Sequence, residues 1–264
     1  MSAVLEYGMV RPGDRIAVCM SGGKDSLLLA KCLQTLKKYS HVPFDLVFLS
    51  MDPGYKQESL EKFKQSAAAL GIQPDIFITD IYSVLNTTTR SPCHICAAMR
   101  RGYLYKEAQR RNCNKIALGH HHDDAAETIL LSILYGGQYK AMLPRLKSDH
   151  FEGMELIRPL YRVREQSVQA WIQTMGIETI SCACGVTKKP DGGKRARVKR
   201  LLAELEKELP NVTANIISSS KAVNLGDVLG YVPRESAEVV SFMDAFMDSD
   251  ESGKPGKMKR SLFI

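Results

Sequence analysis

The 264-residue sequence has no unbroken apolar run of about 18 residues, so nothing in it reads as a spanning helix. Its first residues, MSAVLEYGMVRPGD, lack a basic segment followed by an apolar one, so no signal peptide is expected and the cytoplasm is the expected location, with no membrane partner. It has one Trp and no internal repeat, and its 44% apolar and 25% charged residues exclude a disordered or fibrous chain. Acidic charge is in the minority, 29 Asp and Glu against 36 Lys and Arg, a formal net charge of +7. That favours polyanionic partners without defining one.

Cysteines are few and odd in number: Cys19, Cys32, Cys93, Cys96, Cys113, Cys182 and Cys184. An odd set in a reducing compartment is a poor disulfide framework, and a CxxC pair there reads as a metal or redox site. Pro92-Cys93-His94-Ile95-Cys96 opens a helix that carries Arg100 and Arg101, which would favour thiolate. Three readings stand: zinc on Cys93, Cys96, Cys182 and Cys184, a redox pair at Cys93 and Cys96, or an iron–sulfur cluster with three thiolates and one open iron. Cys19, Cys32 and Cys113 read as packing residues.

Short apolar runs alternate with helical spacing. Strands are expected at Arg15–Met20, Phe44–Met51, Pro74–Thr79, Lys115–Gly119 and Glu155–Pro159. Helices are expected after Ser26, over Glu58–Leu70, Cys96–Asn112, Asp124–Leu134, Gln166–Met175 and Arg195–Leu209. This pattern gives an α/β fold with a doubly wound, mostly parallel sheet and a small C-terminal helical extension. Ligands of such sheets sit beyond the carboxyl ends of the strands, where Ser21, Met51 and Gly119 fall. The expected organisation is a main α/β domain over 1–185, a basic helical extension over 186–230 and a flexible tail over 231–264.

Ser21-Gly22-Gly23-Lys24-Asp25-Ser26 separates the first strand from its helix. Glycines admit an anion to the backbone, the helix N-terminus attracts it, the two hydroxyls donate and Lys24 adds charge. Asp25 makes sense beside phosphates if Mg²⁺ bridges them. The G-x-x-x-x-G-K-[ST] spacing of a Walker loop is absent. After the fourth strand, Gly119-His120-His121-His122-Asp123-Asp124 offers a close backbone approach at Gly119. Its carboxylates suit Mg²⁺ or proton transfer. Lys188–Arg200 carries seven Lys and Arg against Asp191 alone, which suits an RNA backbone, with Arg158 and Arg145 as further candidates.

SGGKDS at 21–26 resembles the PP-loop of ATP pyrophosphatases, which implies transfer of AMP with release of pyrophosphate. PCHICAAMRRGYLY at 92–105, GHHHDDAAET at 119–128, YGG at 135–137, IRPL at 157–160 and CACG at 182–185 follow in order. Over roughly residues 10–220 the set resembles the tRNA 2-thiocytidine synthetase family. The resemblance implies an adenine nucleotide alpha hydrolase-like fold of PP-loop type and adenylation of the C2 oxygen of cytidine 32 in tRNA. Sulfur then replaces AMP with the help of a [4Fe–4S] cluster that has one open iron. It further implies Mg²⁺, a sulfur donor such as a cysteine desulfurase, and a homodimer.

By motif position the cluster ligands are Cys93, Cys96 and Cys184; the family's late C-x-x-C is C-x-C here, which leaves Cys182 as the rival. ATP falls to Ser21, Gly22, Gly23, Lys24, Asp25, Ser26, Met51, Gly119 and His120, and catalysis to Asp123, Asp124 and Arg100. The rivals are a uridine 2-sulfurtransferase, a PP-loop ligase or amidotransferase acting on a small molecule, and a zinc-stabilised RNA-binding module.

Overall fold

A computed structural model describes residues 2–79, 81, 92–180, 193–233 and 238–242, with backbone alone over 92–97. The chain divides into two compact units, Met1–Ile217 and Ser218–Ile264. In the first, α1 (Ser2–Glu6) precedes β1 (Arg15–Met20), α2 (Lys24–Tyr39), β2 (Asp45–Asp52), α3 (Gln57–Ala69), β3 (Asp75–Ile78) and α4 (Pro92–Arg110). Then come β4 (Lys115–Ala117), α5 (His122–Gly136), β5 (Arg145–Lys147), β6 (Glu155–Ile157), α6 (Glu165–Met175), α7 (Gly193–Glu208) and α8 (Val212–Ser219), whose last residues pass into the second unit.

The sheet order is β3-β2-β1-β4-β6-β5. All pairings are parallel except β5 on β6, so the mostly parallel, doubly wound expectation holds. β1 shows why both faces must be covered. Ile16, Val18 and Met20 pack with Leu27, Leu29 and Leu33 of α2 on one face, while Ala17 and Cys19 pack with Leu104, Tyr105 and Ala108 of α4 on the other. A strand buried on both faces reads as a continuous apolar run, as RIAVCM does. The chain leaves β1 in one direction toward β2 and in the other toward β4, so the strand order reverses between β1 and β4, where a crevice opens at the carboxyl ends.

The opposite end of the sheet is closed by charge. Lys115 is 2% exposed; its Nζ donates to Asp14 Oδ2 at 2.6 Å and to the Met9 carbonyl at 3.0 Å. Glu155 lies 3.5 Å from the same ammonium and is held at 2.7 Å by Arg145, whose other amine donates to the Gly8 carbonyl at 2.8 Å. Arg145, an RNA candidate from sequence, has its guanidinium taken up by Glu155 and the Gly8 carbonyl.

In the second unit, a 3-10 turn at Leu225–Asp227 precedes an antiparallel ribbon of β7 (Gly230–Tyr231) and β8 (Val240–Ser241), with the Tyr231 and Phe242 rings 5.6 Å apart. The expectation of a flexible tail over 231–264 lies mostly outside the described residues, and the described part includes this ribbon. Among the described residues no helix is long and apolar enough to cross a membrane.

Candidate active site

The chain turns sharply after β1. Gly22 has φ +75°, a left-handed conformation that favours glycine, and Gly23 is the N-cap of α2 with no side-chain cap bond. The Ser26 amide closes onto the Gly23 carbonyl at 3.1 Å, which leaves the Lys24 and Asp25 amides of the first turn to face an anion. Ser26 braces the turn: its hydroxyl donates to the Gly23 carbonyl at 2.8 Å and accepts from the Ser21 amide at 3.1 Å. Tyr55, beyond β2, donates to the Ser21 carbonyl at 3.4 Å.

The second loop, after β4, is pressed against the first. A Cβ on Gly119 would lie 3.0 Å from the Asp25 carbonyl carbon and oxygen, so only glycine brings the two backbones this close. His121 is buried and caps α5: its Nδ1 accepts from the Asp124 amide at 3.4 Å while Asp124 Oδ2 accepts from the His121 amide at 3.0 Å. Its Nε2 lies 3.6 Å from Asp25 Oδ1, which joins the two loops.

Between them lies a cleft of about 430 Å³ lined by Ser21, Asp25, Ser26, Met51, Tyr55, Arg100, Arg101, Gly119, His120, Asp124 and Arg195, together with Cys19, Met20, Leu104 and Leu118. The structure thus brings Ser21, Asp25, Ser26, Met51, Gly119, His120, Asp124 and Arg100 to one cavity. Gly22, Gly23 and Lys24 form the turn beside it. Asp123 is placed elsewhere. Its carboxylate accepts from the Glu165 amide at 2.7 Å and from Arg164 Nε at 3.2 Å, so it anchors the start of α6. Successive helical positions point about 100° apart, so the two aspartates cannot share one task.

Charge partners that the sequence did not reveal complete the site. Lys24 Nζ lies 3.0 Å from Asp25 and 3.2 Å from Glu165, and Glu165 also meets Lys199 of α7 at 2.5 Å. Burial works against the Lys24 ammonium, but its bonds to Asp25 and Glu165 outweigh this and hold its pKa above the ordinary value. Burial likewise opposes the Glu165 carboxylate, yet Lys199 and Lys24 pull its pKa below the usual range. Arg195 of α7 donates to Glu127 at 2.7 Å and to Asp124 at 2.8 Å. Burial raises the Glu127 pKa in spite of that partner. Of the basic stretch, Arg195 therefore lines the cleft and Lys199 pairs with Glu165 beside it, and both stay exposed, as do Lys194, Arg197 and Arg200. A Glu directly after Arg164, at a helix start, was the available signal for Glu165.

The cysteine expectations lie outside the described residues: Cys182 and Cys184 fall in 181–192, and the side chains of Cys93 and Cys96 in 92–97. The described backbone beside them shows two things only. Positions 93, 96 and 100 follow one face of α4, and Arg100 lines the cleft. Ile180 is pinned to the phosphate loop, its amide donating to the Gly22 carbonyl at 3.1 Å and its side chain filling the space where a Gly22 Cβ would be. Among the described residues no group of three His, Cys, Asp or Glu is set to hold a metal ion.

The fold and the glycine turn define a class, and the comparisons agree with it: residues 3–184 match the PP-loop domain family. A protein of Geobacter sulfurreducens named tRNA-cytidine(32) 2-sulfurtransferase is 39% identical over 218 residues, covering 81% of this chain and 84% of that protein. One of the same name from an Anaeromyxobacter species (strain Fw109-5) is 36% identical over 266 residues, covering 97% and 84%. The chain belongs to the tRNA-cytidine(32) 2-sulfurtransferase family and is an enzyme of that thiotransferase class. Among solved structures, the U34-tRNA thiolase NcsA from Methanococcus maripaludis, with its [4Fe-4S] cluster, has the same fold: TM-score 0.67 at 21% identity, covering 83% of this chain and 76% of that one.

Proposed function

We propose that this enzyme uses ATP to adenylate the C2 oxygen of cytidine 32 in tRNA and then replaces that oxygen with sulfur. The observation that carries the reading is the single cleft in which the phosphate loop, Gly119 and Asp124, and the arginines Arg100, Arg101 and Arg195 converge. A C2 oxygen is a poor leaving group, so it must be activated before sulfur can displace it. In the first step the oxygen attacks the α-phosphorus of ATP, and the bond to the β-phosphate oxygen breaks to release pyrophosphate. In the second, sulfur at the oxidation level of sulfide bonds to C2 and the C2–O bond breaks to release AMP. No net oxidation occurs.

The residues of the chain divide this work. The amides at the start of α2, the Ser21 hydroxyl and Lys24 hold the phosphates of ATP, in a turn that Ser26 braces through the Gly23 carbonyl. Asp25 and Asp124 face the same cleft and would hold Mg²⁺ against them, with His121 fixing both carboxylates. Met51 and Gly119 form the nucleotide wall. Arg100 and Arg195 stabilise charge that develops at the α-phosphate, in a site where such donors are worth several kcal/mol each (~3 kcal/mol). Asp123 supports this set from behind through α6. Cys93, Cys96 and Cys184 would hold a [4Fe–4S] cluster, which when bound supplies an open iron for sulfur.

The exposed Lys194, Arg197 and Arg200 of α7 support the reading that the 186–230 extension contacts the RNA, with the loop nucleotide reaching the cleft by leaving its stack. A sulfur donor such as a cysteine desulfurase, action as a homodimer and a cytoplasmic location complete the reading. The test is incubation with ATP, Mg²⁺, sulfide and unmodified tRNA. Pyrophosphate and 2-thiocytidine should form in equal amounts, and only when position 32 is cytidine. Thiolation of uridine instead, or cleavage of ATP to ADP, would refute it.

A further inference from the structure

His120 leaves the end of β4 to line the cleft, and Arg158 leaves the end of the neighbouring strand β6. Arg158 Nε donates to His120 Nδ1 at 3.4 Å. An arginine N–H can only donate, so Nδ1 is the nitrogen without a proton, and the imidazole proton rests on Nε2. The arginine is itself immobilised. Its backbone amide donates to the Pro144 carbonyl at 2.9 Å and its Nη1 donates to the Leu143 carbonyl. The strands are tied just before them, with the Leu118 amide on the Ile157 carbonyl at 3.0 Å.

We infer that Arg158 is a positioning residue that fixes His120 as a neutral imidazole with its proton on Nε2, so that His120 offers the cleft a stationary N–H donor and does not transfer a proton. Two further observations agree. Burial first, and the Arg158 charge next, lower the His120 pKa to about 4, although Asp124 opposes them; Arg195 and His121 also face the ring and act in the lowering sense. Burial also lowers Arg158, to about 10, which leaves it cationic at neutrality. A permanent cation behind a neutral ring polarises its N–H toward an electron-rich oxygen. On the function proposed above, that oxygen belongs either to a phosphate of the nucleotide or to C2 of the nucleoside.

The test begins with the full-length wild-type protein labelled with ¹⁵N-histidine, in a long-range ¹H–¹⁵N correlation at neutral pH, with H120Q used to assign the ring. The expected spectrum has the His120 proton on Nε2 alone, and R158M loses that single tautomer. A proton on Nδ1, or an imidazolium, in the wild type overturns the inference. In kinetics, Gln places an amide donor near the Nε2 position and Asn near the Nδ1 position. H120Q should therefore retain at least about tenfold more single-turnover activity than H120N, within the roughly 100- to 1,000-fold that loss of one preorganised donor costs. If H120N and H120Q are equally active, the inference fails, even if R158M does not fold. A weaker Kd for ATP in H120N locates the acceptor on the phosphates, and an unchanged Kd with slower turnover locates it on the nucleoside. The spectrum needs no substrate, so failure of tRNA thiolation leaves this inference standing, and failure here leaves the thiolation reading intact.

Discussion

Gly119→Ala adds one methyl group at the tightest point between the two loops. Its Cβ would meet the Asp25 carbonyl carbon and oxygen at 3.0 Å and the Ser26 amide at 3.2 Å, whereas ordinary contact begins at 3.4 Å, so about 0.4 Å of movement is required. The neighbours are backbone, not flexible side-chain tips. β4 cannot retreat, because it is paired to β1 on one side and β6 on the other. The phosphate loop must therefore move, and overpacking of this kind costs about 1–3 kcal/mol. If ATP binding bears that cost, affinity falls about 5- to 150-fold, at a factor of ten per 1.4 kcal/mol. If the empty protein bears it, thermal stability falls by about the same free energy. Calorimetric titration with ATP and a thermal scan measure the two shares. Gly102→Ala is the control. It sits within α4, with nothing within 4 Å of its added Cβ, and should stabilise by about 0.5–1 kcal/mol. A G119A protein with wild-type affinity and wild-type melting would refute the reasoning.

Asp123→Asn should cost about 1–2 kcal/mol of stability, read by urea unfolding, because it weakens the start of α6, and should leave ATP affinity nearly unchanged. Loss of catalysis with full stability would instead make Asp123 a reacting group. Gly22→Ala is both strained in backbone and in collision with Ile180 Cγ1 at 2.4 Å. Ile180→Ala in the same chain should restore part of the ATP affinity, and no restoration in the double variant would remove Ile180 from the loop's support. Lys115→Met leaves Asp14 buried without its cation and should lower stability by about 3–5 kcal/mol in chemical denaturation. Glu155 has its pKa lowered, chiefly by the Arg145 hydrogen bond in spite of burial. The stability it adds is complete above its ordinary pKa of 4.5 and is lost as pH falls below that value, so E155Q should flatten the acid limb of a pH–stability curve.

The sequence made some of this visible and hid the rest for physical reasons. β1 and its glycine turn were legible because a two-faced strand is written as one apolar run and a phosphate turn needs small residues. α4 starts at Pro92, one turn before the expected Cys96, because proline suits the first turn of a helix. β5 was missed. Its three residues, Arg-Leu-Lys, form an antiparallel edge that shows no apolar run, and the two-residue strands of the ribbon are shorter than any period. The five-residue α1 and eight-residue α8 were missed as well. In the site, the convergence of Ser21, Met51 and Gly119 followed from their places at strand ends. The roles of Asp123 and Asp124 could not be separated in a dipeptide, because only the phase of α5 turns one to the cleft and the other to α6. The pairings of Glu165 and Arg195 were hidden for a different reason: Glu165 stood at a visible helix start and Arg195 in a visible basic stretch, but the charge each meets lies on another element and leaves no local pattern.

The way α7 is held has a practical consequence for experiments. It inserts only Val198 and Leu202 among the buried residues, and much of its grip comes from Arg195, Lys199 and Glu206 paired with Asp124, Glu127, Glu165 and Arg164. On the RNA-contact reading proposed above, ionic strength would act twice on this enzyme, once by competing for the nucleic acid and once by loosening the helix that presents the lysines and arginines. A log–log salt plot of tRNA binding would then be steeper than the number of phosphates touched, and the excess would measure how readily that helix peels away.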